Sequence, residues 1–142
     1  MRISLSADER TGVADRVADA LRERGHDVVA LHGALGDDDP QWAWCSEAAA
    51  RDVAEGRADQ AVVCCWTGTG ASIAANKVPG VRAALCADAA TAEGARRWND
   101  ANVLAISLRT CSEAVLAELL DAWFAAAPSD EPADRANVDR LR

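Results

Sequence analysis

The segment Cys65-Trp66-Thr67-Gly68-Thr69-Gly70 follows the apolar run Val62-Val63-Cys64 and leads into Ala71-Ser72-Ile73-Ala74-Ala75. That order reads as a strand, a glycine turn and a helix start, and α/β domains hold ligands at this end of a parallel strand. Gly68 and Gly70 let the backbone approach a ligand closely, and amides at a helix N-terminus point at negative oxygen. A thiol there faces the positive end of the helix, which favours the thiolate, so Cys65 is a candidate base or nucleophile. The turn matches neither the dinucleotide fingerprint nor the loop ending in Gly-Lys-Ser/Thr that cradles nucleotide phosphates.

The other reactive side chains are few. Asp8 ends the first apolar run and so falls at the same edge. Five cysteines, an odd number with no Cys-x-x-Cys pair, and two distant histidines, His26 and His32, exclude a zinc or iron–sulfur site and a disulfide framework. No metal or cofactor is expected. Cys64 reads as a packed strand residue, as do Cys45, Cys86 and Cys111 in their apolar surroundings. Trp42, Trp44 and Trp123 read as core or subunit contacts on helices, and His26 and His32 as turn residues. Trp66 and Trp98 read equally well as pocket wall or as packing, while Asp37-Asp38-Asp39 reads as a solvated loop near the ligand edge.

The elements that must position these groups alternate along the chain. Strands are expected at Ile3 to Ala7, Val28 to Leu31, Gln60 to Cys65, Val81 to Cys86 and Val103 to Ser107. Val13, Val17, Ala20 and Leu21 recur at helical spacing between Gly12 and Arg24 before Gly25. A second helix follows Pro40, from Ala43 to Ala54. A third, Ser112 to Ala126, carries Val115, Leu116, Leu119, Leu120 and Phe124 behind a serine cap. The pattern is that of an α/β, three-layer αβα fold of Rossmann-like type around a five-stranded parallel sheet. Residues 1–127 form one domain and residues 128–142 a polar tail, which either frays or packs on a neighbouring subunit.

With 142 residues the chain can bury a full core, and it holds no run of about 18 apolar residues that could span a membrane. The first residues read as a strand and not as a secretion signal, so a cytoplasmic location is expected. A formal charge of −8 argues against nucleic acid as partner.

The longer string from Cys65 through Ala71-Ser72-Ile73-Ala74-Ala75-Asn76-Lys77-Val78-Pro79-Gly80 to Cys86, with Asn99-Asp100-Ala101-Asn102-Val103-Leu104-Ala105, resembles the ribose-5-phosphate isomerase B and galactose-6-phosphate isomerase family. Asp8, Asp38-Asp39-Pro40 and Val138-Asp139 fit the same pattern. The resemblance implies an aldose–ketose isomerase that works as a homodimer or tetramer, with active sites at the subunit interface and a sugar or sugar phosphate as its small-molecule substrate. Cys65 is then the base that moves a proton between adjacent carbons through a cis-enediolate. Thr67, Gly68, Thr69, Gly70 and Ser72 form the anion cradle, and Asp8 and Asn99 bind sugar hydroxyls.

Several positions depart from the family pattern. Glu9 replaces a histidine that contacts the substrate phosphate, and Trp98 replaces one that opens the sugar ring; an indole cannot exchange protons. Trp66 stands where the family has glycine and Asp39 where it has tyrosine. The tail arginines that clamp phosphate are displaced, with Arg135, Arg140 or Arg10 as substitutes. The expected activity is therefore isomerisation of a substrate other than ribose 5-phosphate, such as an open-chain tetrose. Trp66 and Trp98 would wall its pocket. The competing reading is a catalytically silent homologue that binds a sugar or anion.

Overall fold

The computed structural model describes residues 1–142. Five strands and six helices alternate: β1 (Arg2–Ala7), α1 (Ala14–Glu23), β2 (Asp27–Gly33), α2 (Trp42–Ala54), β3 (Gln60–Cys65), α3 (Thr69–Asn76), β4 (Ala83–Leu85), α4 (Ala89–Asn99), β5 (Val103–Ser107), α5 (Glu113–Ala125) and α6 (Pro132–Arg140). All strand pairs are parallel, in the order β2-β1-β3-β5-β4. The chain runs outward from β1 to β2 and then returns to place β3 on β1's other side. The carboxyl ends of β1 and β3 therefore flank the point where the strand order reverses, the crevice in which open α/β sheets bind ligands.

The two faces of the sheet carry different cores. Ile3, Leu5, Leu104 and Ile106 pack against Val17 and Leu21 of α1, Ala92 and Ala95 of α4, and Leu116, Leu119, Leu120 and Trp123 of α5. Full burial of each large aliphatic side chain contributes about 1.5–3 kcal/mol. The Trp123 indole N–H donates to the Gln60 side-chain oxygen at 2.7 Å, so the largest buried ring leaves no polar atom unmatched. The opposite face is built from small residues, Ala61, Val63, Val103 and Ala105 against Ala49 and Ala50 of α2 and Ala71 and Ala75 of α3, which draws those helices close to the sheet.

One edge of that second face is polar. Ser4 donates to Asp52 at 2.7 Å, and His32 bridges Asp52 (2.7 Å, through Nε2) and Asp38 (2.6 Å, through Nδ1). Arg57 donates to the other Asp52 oxygen, and the Gly33 amide donates to Asp38. His32 thus lies within β2 and is no turn residue. It ties the loop before α2 to the sheet.

Two helices go beyond the expected elements. α4 starts where Asp88 caps Thr91, its carboxylate accepting that amide at 2.7 Å. α6 takes up most of the polar tail, starting at Pro132 and seating Val138 as its only buried residue, on α4. β4 is shorter than expected because Asn76 brackets Ala83, accepting its amide and donating to its carbonyl, while Arg82 turns away to Asp100. No helix is long and apolar enough to cross a membrane.

Candidate active site

β3 is buried along its whole length and ends at Cys65, which is 5% exposed. The chain then turns sharply. Gly68 adopts φ +75° and caps α3 at its N-terminus. A Cβ at that position would sit 2.5 Å from Leu85 Cδ1 and 2.9 Å from the Ser107 amide nitrogen, so only glycine fits both the space and the dihedral. The neighbouring strand end braces the turn. Leu108 donates to the Cys65 carbonyl at 3.0 Å, and the Trp66 carbonyl accepts from both the Arg109 amide (2.9 Å) and the Ser107 hydroxyl (3.0 Å).

This geometry brings the Cys65 sulfur to the first turn of α3, where it accepts the Ala71 amide at 3.4 Å. The amides of Thr67, Thr69 and Gly70 have no protein acceptor, as the first turn of a helix dictates. The Thr67 and Thr69 hydroxyls lie 2.7 Å apart and bond each other. A sulfur, unbonded amides and two linked hydroxyls therefore share one turn, a donor set fixed before any charge develops.

Across the reversal point stands Asp8. Ala7 pairs with Cys64 in the sheet register, and the Asp8 amide continues the ladder to the Cys64 carbonyl at 3.3 Å. Asp8 and Cys65 thus occupy adjacent strand ends. One Asp8 carboxylate oxygen is buried without any hydrogen-bond partner. Burial, and then the adjacent negative charge of Glu9, hold the carboxyl above the usual aspartate value. An unsatisfied oxygen of this kind costs about 1–3 kcal/mol unless a ligand or water supplies the missing donor.

The cleft has a volume of about 260 Å³ and is lined by Asp8, Trp42, Cys65, Trp66, Thr67, Thr69 and Gly70. Of the expected residues, Asp8, Cys65, Trp66, Thr67, Thr69 and Gly70 meet here. Gly68 lies under the turn, and Ser72 sits half-buried on α3, its amide donating to the Gly68 carbonyl at 3.0 Å. Glu9 is half-buried beside Asp8. Trp98 and Asn99 lie elsewhere in the same chain. The Trp98 ring packs over Gly94, 2.6 Å from where a Cβ would stand, and borders a groove of about 360 Å³ between α4 and α6. Asn99 borders a third depression with Asn76 and Leu141.

Two further residues belong to the cleft region. Trp42, expected as core or a subunit contact, is 46% exposed and lies against Gly70, with three of its ring atoms 2.8–3.2 Å from where a Cβ would be. The hint was its place just after Asp38-Asp39-Pro40, near the ligand edge. Arg109 is exposed and adjoins the cleft through its amide, which donates to the Trp66 carbonyl, and nothing in its local sequence marks it.

Residues 3–141 match the Ribose/Galactose Isomerase family. The chain is similar to galactose-6-phosphate isomerase subunit LacB of Clostridium acetobutylicum, 34% identical over 127 residues that cover 89% of this chain and 73% of that protein. It is also similar to D-erythrulose-4-phosphate isomerase of Pectobacterium atrosepticum, 29% identical over 125 residues, 87% of this chain and 82% of the other. The solved structure of ribose-5-phosphate isomerase B from Clostridium thermocellum superposes with a TM-score of 0.86 at 33% identity, covering 99% of this chain and 95% of that one. A Rossmann-like parallel sheet, a cysteine at the strand-order reversal and a sequence match along nearly the whole chain converge on one conclusion: the chain belongs to the ribose/galactose isomerase family.

Proposed function

We propose that the cleft interconverts an open-chain aldose and its ketose, with Cys65 as the base and a four-carbon sugar phosphate as the substrate. The observation that carries the reaction is the Cys65 sulfur held at the N-terminus of α3 beside unbonded amides, in a cleft that Asp8 lines from the adjacent strand end. From the aldose, the sulfur takes the proton on C2, and the electron pair moves through C1 onto the carbonyl oxygen. The Thr67, Thr69 and Gly70 amides meet that developing charge, which is worth more in a fixed, partly dry cradle than in water. The sulfur returns the proton to C1, the O2 proton passes to O1, and the carbonyl ends at C2. Asp8 accepts hydrogen bonds from the sugar hydroxyls.

The preference for an open chain follows from the histidines. The chain has two. His26 packs on Phe124 with ring centroids 3.9 Å apart, and His32 is held between Asp38 and Asp52. No copy of this chain has an imidazole free to open a sugar ring. A tetrose 4-phosphate never needs one, because the hydroxyl that would close its ring is esterified. The relative that carries D-erythrulose-4-phosphate isomerase as its name supports the same substrate length, and Arg109 supplies a cation for the phosphate.

The working unit is a homodimer in which Trp98, Asn99 and α6 of one copy reach the cleft of the other. Exposed Trp66, Ile73, Leu85 and Trp98 are surface for such a contact. Five free thiols suit a reducing cytoplasm. The test is incubation in heavy water with tetroses, pentoses and hexoses, each with and without phosphate. Solvent deuterium entering the carbon next to the carbonyl, and lost in Cys65→Ala, supports the enzyme. Binding without exchange supports the silent homologue.

A further inference from the structure

Trp42 is the first residue of α2, and its ring is half in solvent, yet its position is fixed from both sides. Behind it, Cys45 donates to the Gln41 carbonyl at 3.0 Å as the helix begins. Ahead of it, the Gln41 amide donates to Asp39 at 2.9 Å, and Asp38 is anchored by His32 and by the Gly33 amide. The ring lies against Gly70, and any Cβ there would collide with it at 2.8 Å. These bonds fix the backbone from which the ring projects, and Gly70 backs one face of the ring at the cleft.

We propose that Trp42 sets the substrate's chain length, its ring filling the room that a fifth carbon would need in a chain whose reacting end lies at Cys65. This inference rests on the isomerase reading and deepens it. On the isomerase reading the reacting carbons lie between the Cys65 sulfur and the amides of Thr69 and Gly70, and the substrate chain extends beside the residue that covers Gly70. That residue is Trp42, and Trp66 borders the same space. Loss of the indole opens this space while leaving the sulfur, the cradle amides and Asp8 untouched.

Binding reads the gate without turnover. The probes are the open-chain acids 4-phosphoerythronate and 5-phosphoribonate, with unphosphorylated erythronate to separate the carbon chain from the phosphate. The full-length protein is expected to favour the four-carbon phosphate by about tenfold or more, and Trp42→Ala to bring the two phosphates within about threefold of each other. Trp42→Phe, which keeps an apolar ring and the helix start, should fall between. Equal affinities in the unsubstituted protein, no binding of either phosphate, or a preference unchanged in both variants overturns the gate. Solvent exchange measured alongside separates the two claims. Chain-length selectivity without exchange leaves the gate standing and removes the isomerase, whereas exchange indifferent to chain length does the reverse.

Discussion

The Cys65 sulfur accepts the Ala71 amide at 3.4 Å, so the thiol at the end of β3 is tied to the first turn of the helix that follows it. This bond orients the sulfur without using the Thr69 and Gly70 amides, which stay free for a substrate oxygen. Replacing Cys65 by alanine or serine should lower kcat by about 10²–10⁴, the usual contribution of a positioned general base, with little change in KM. Steady-state isomerisation kinetics check it. A KM effect alone would reassign Cys65 to binding.

Asp8 gives a pH signature. Its carboxyl is held above the ordinary value of 3.8 by burial and by Glu9, and its ionised form is the better acceptor for sugar hydroxyls. Activity should therefore be present above that raised value and fall as pH drops through it. Asp8→Asn should remove this acid limb of the kcat/KM profile. Glu9→Gln, which deletes the neighbouring negative charge, should move the limb to lower pH, and a limb unmoved by both changes assigns the titration to another group.

The His32 bridge predicts a stability optimum. Burial disfavours the imidazolium, but the bonds to Asp52 and Asp38 outweigh it and raise His32 above 6.5. Burial likewise works against the two carboxylates. His32, with Arg57 and Ser4 at Asp52 and the Gly33 amide at Asp38, outweighs it and holds both below 3.8. The histidine's contribution is complete below 6.5 and is lost as pH rises through its folded value; the aspartates' is complete above 3.8 and is lost as pH falls. Urea unfolding should show the network strongest between those limits, and His32→Gln should flatten the decline above pH 6.5. Asp52→Asn, which strips a buried carboxylate from three partners, should cost about 3 kcal/mol.

Gly68 tests the turn. Alanine there must accept φ +75° and meet Leu85 and the Ser107 amide, at a cost of about 1–3 kcal/mol. Because the same turn aims the cradle amides, kcat should fall together with the unfolding midpoint. A stable and fully active Gly68→Ala protein would show that the cradle is not rigid.

Much of this site is legible in the chain itself. An unbroken apolar strand, two glycines and a run of small helix formers permit little besides a strand-turn-helix, so Cys65 through Gly70 is found where its pattern places it. Ser112 caps α5 as expected, accepting the Val115 amide at 3.2 Å. What stayed hidden depends on which elements meet. Trp42 lies on a helix whose apolar face is mostly alanine, and beyond its place after Asp38-Asp39-Pro40 nothing tells that the large ring turns toward Gly70. His32 looks like a residue beside a turn until Asp38 and Asp52, six and twenty positions away, close on it. α6 escapes composition altogether, since a helix seated on Val138 alone has no apolar stripe to read.

The unequal faces of the sheet divide the chain's tolerance to change. On the side of α1, α4 and α5, truncating a leucine leaves a void, with a cost of about 2–5 kcal/mol borne far from the cleft. On the side of α2 and α3 the helices already meet the sheet through alanines, Ala49, Ala50, Ala71 and Ala75, and little remains to trim on them. Change there comes mainly as added bulk, which pushes α3 and its free amides outward from Cys65. Drift on the first side is felt as lost stability, and drift on the second as altered chemistry, so one scaffold can explore new substrates through a layer only a few methyl groups thick.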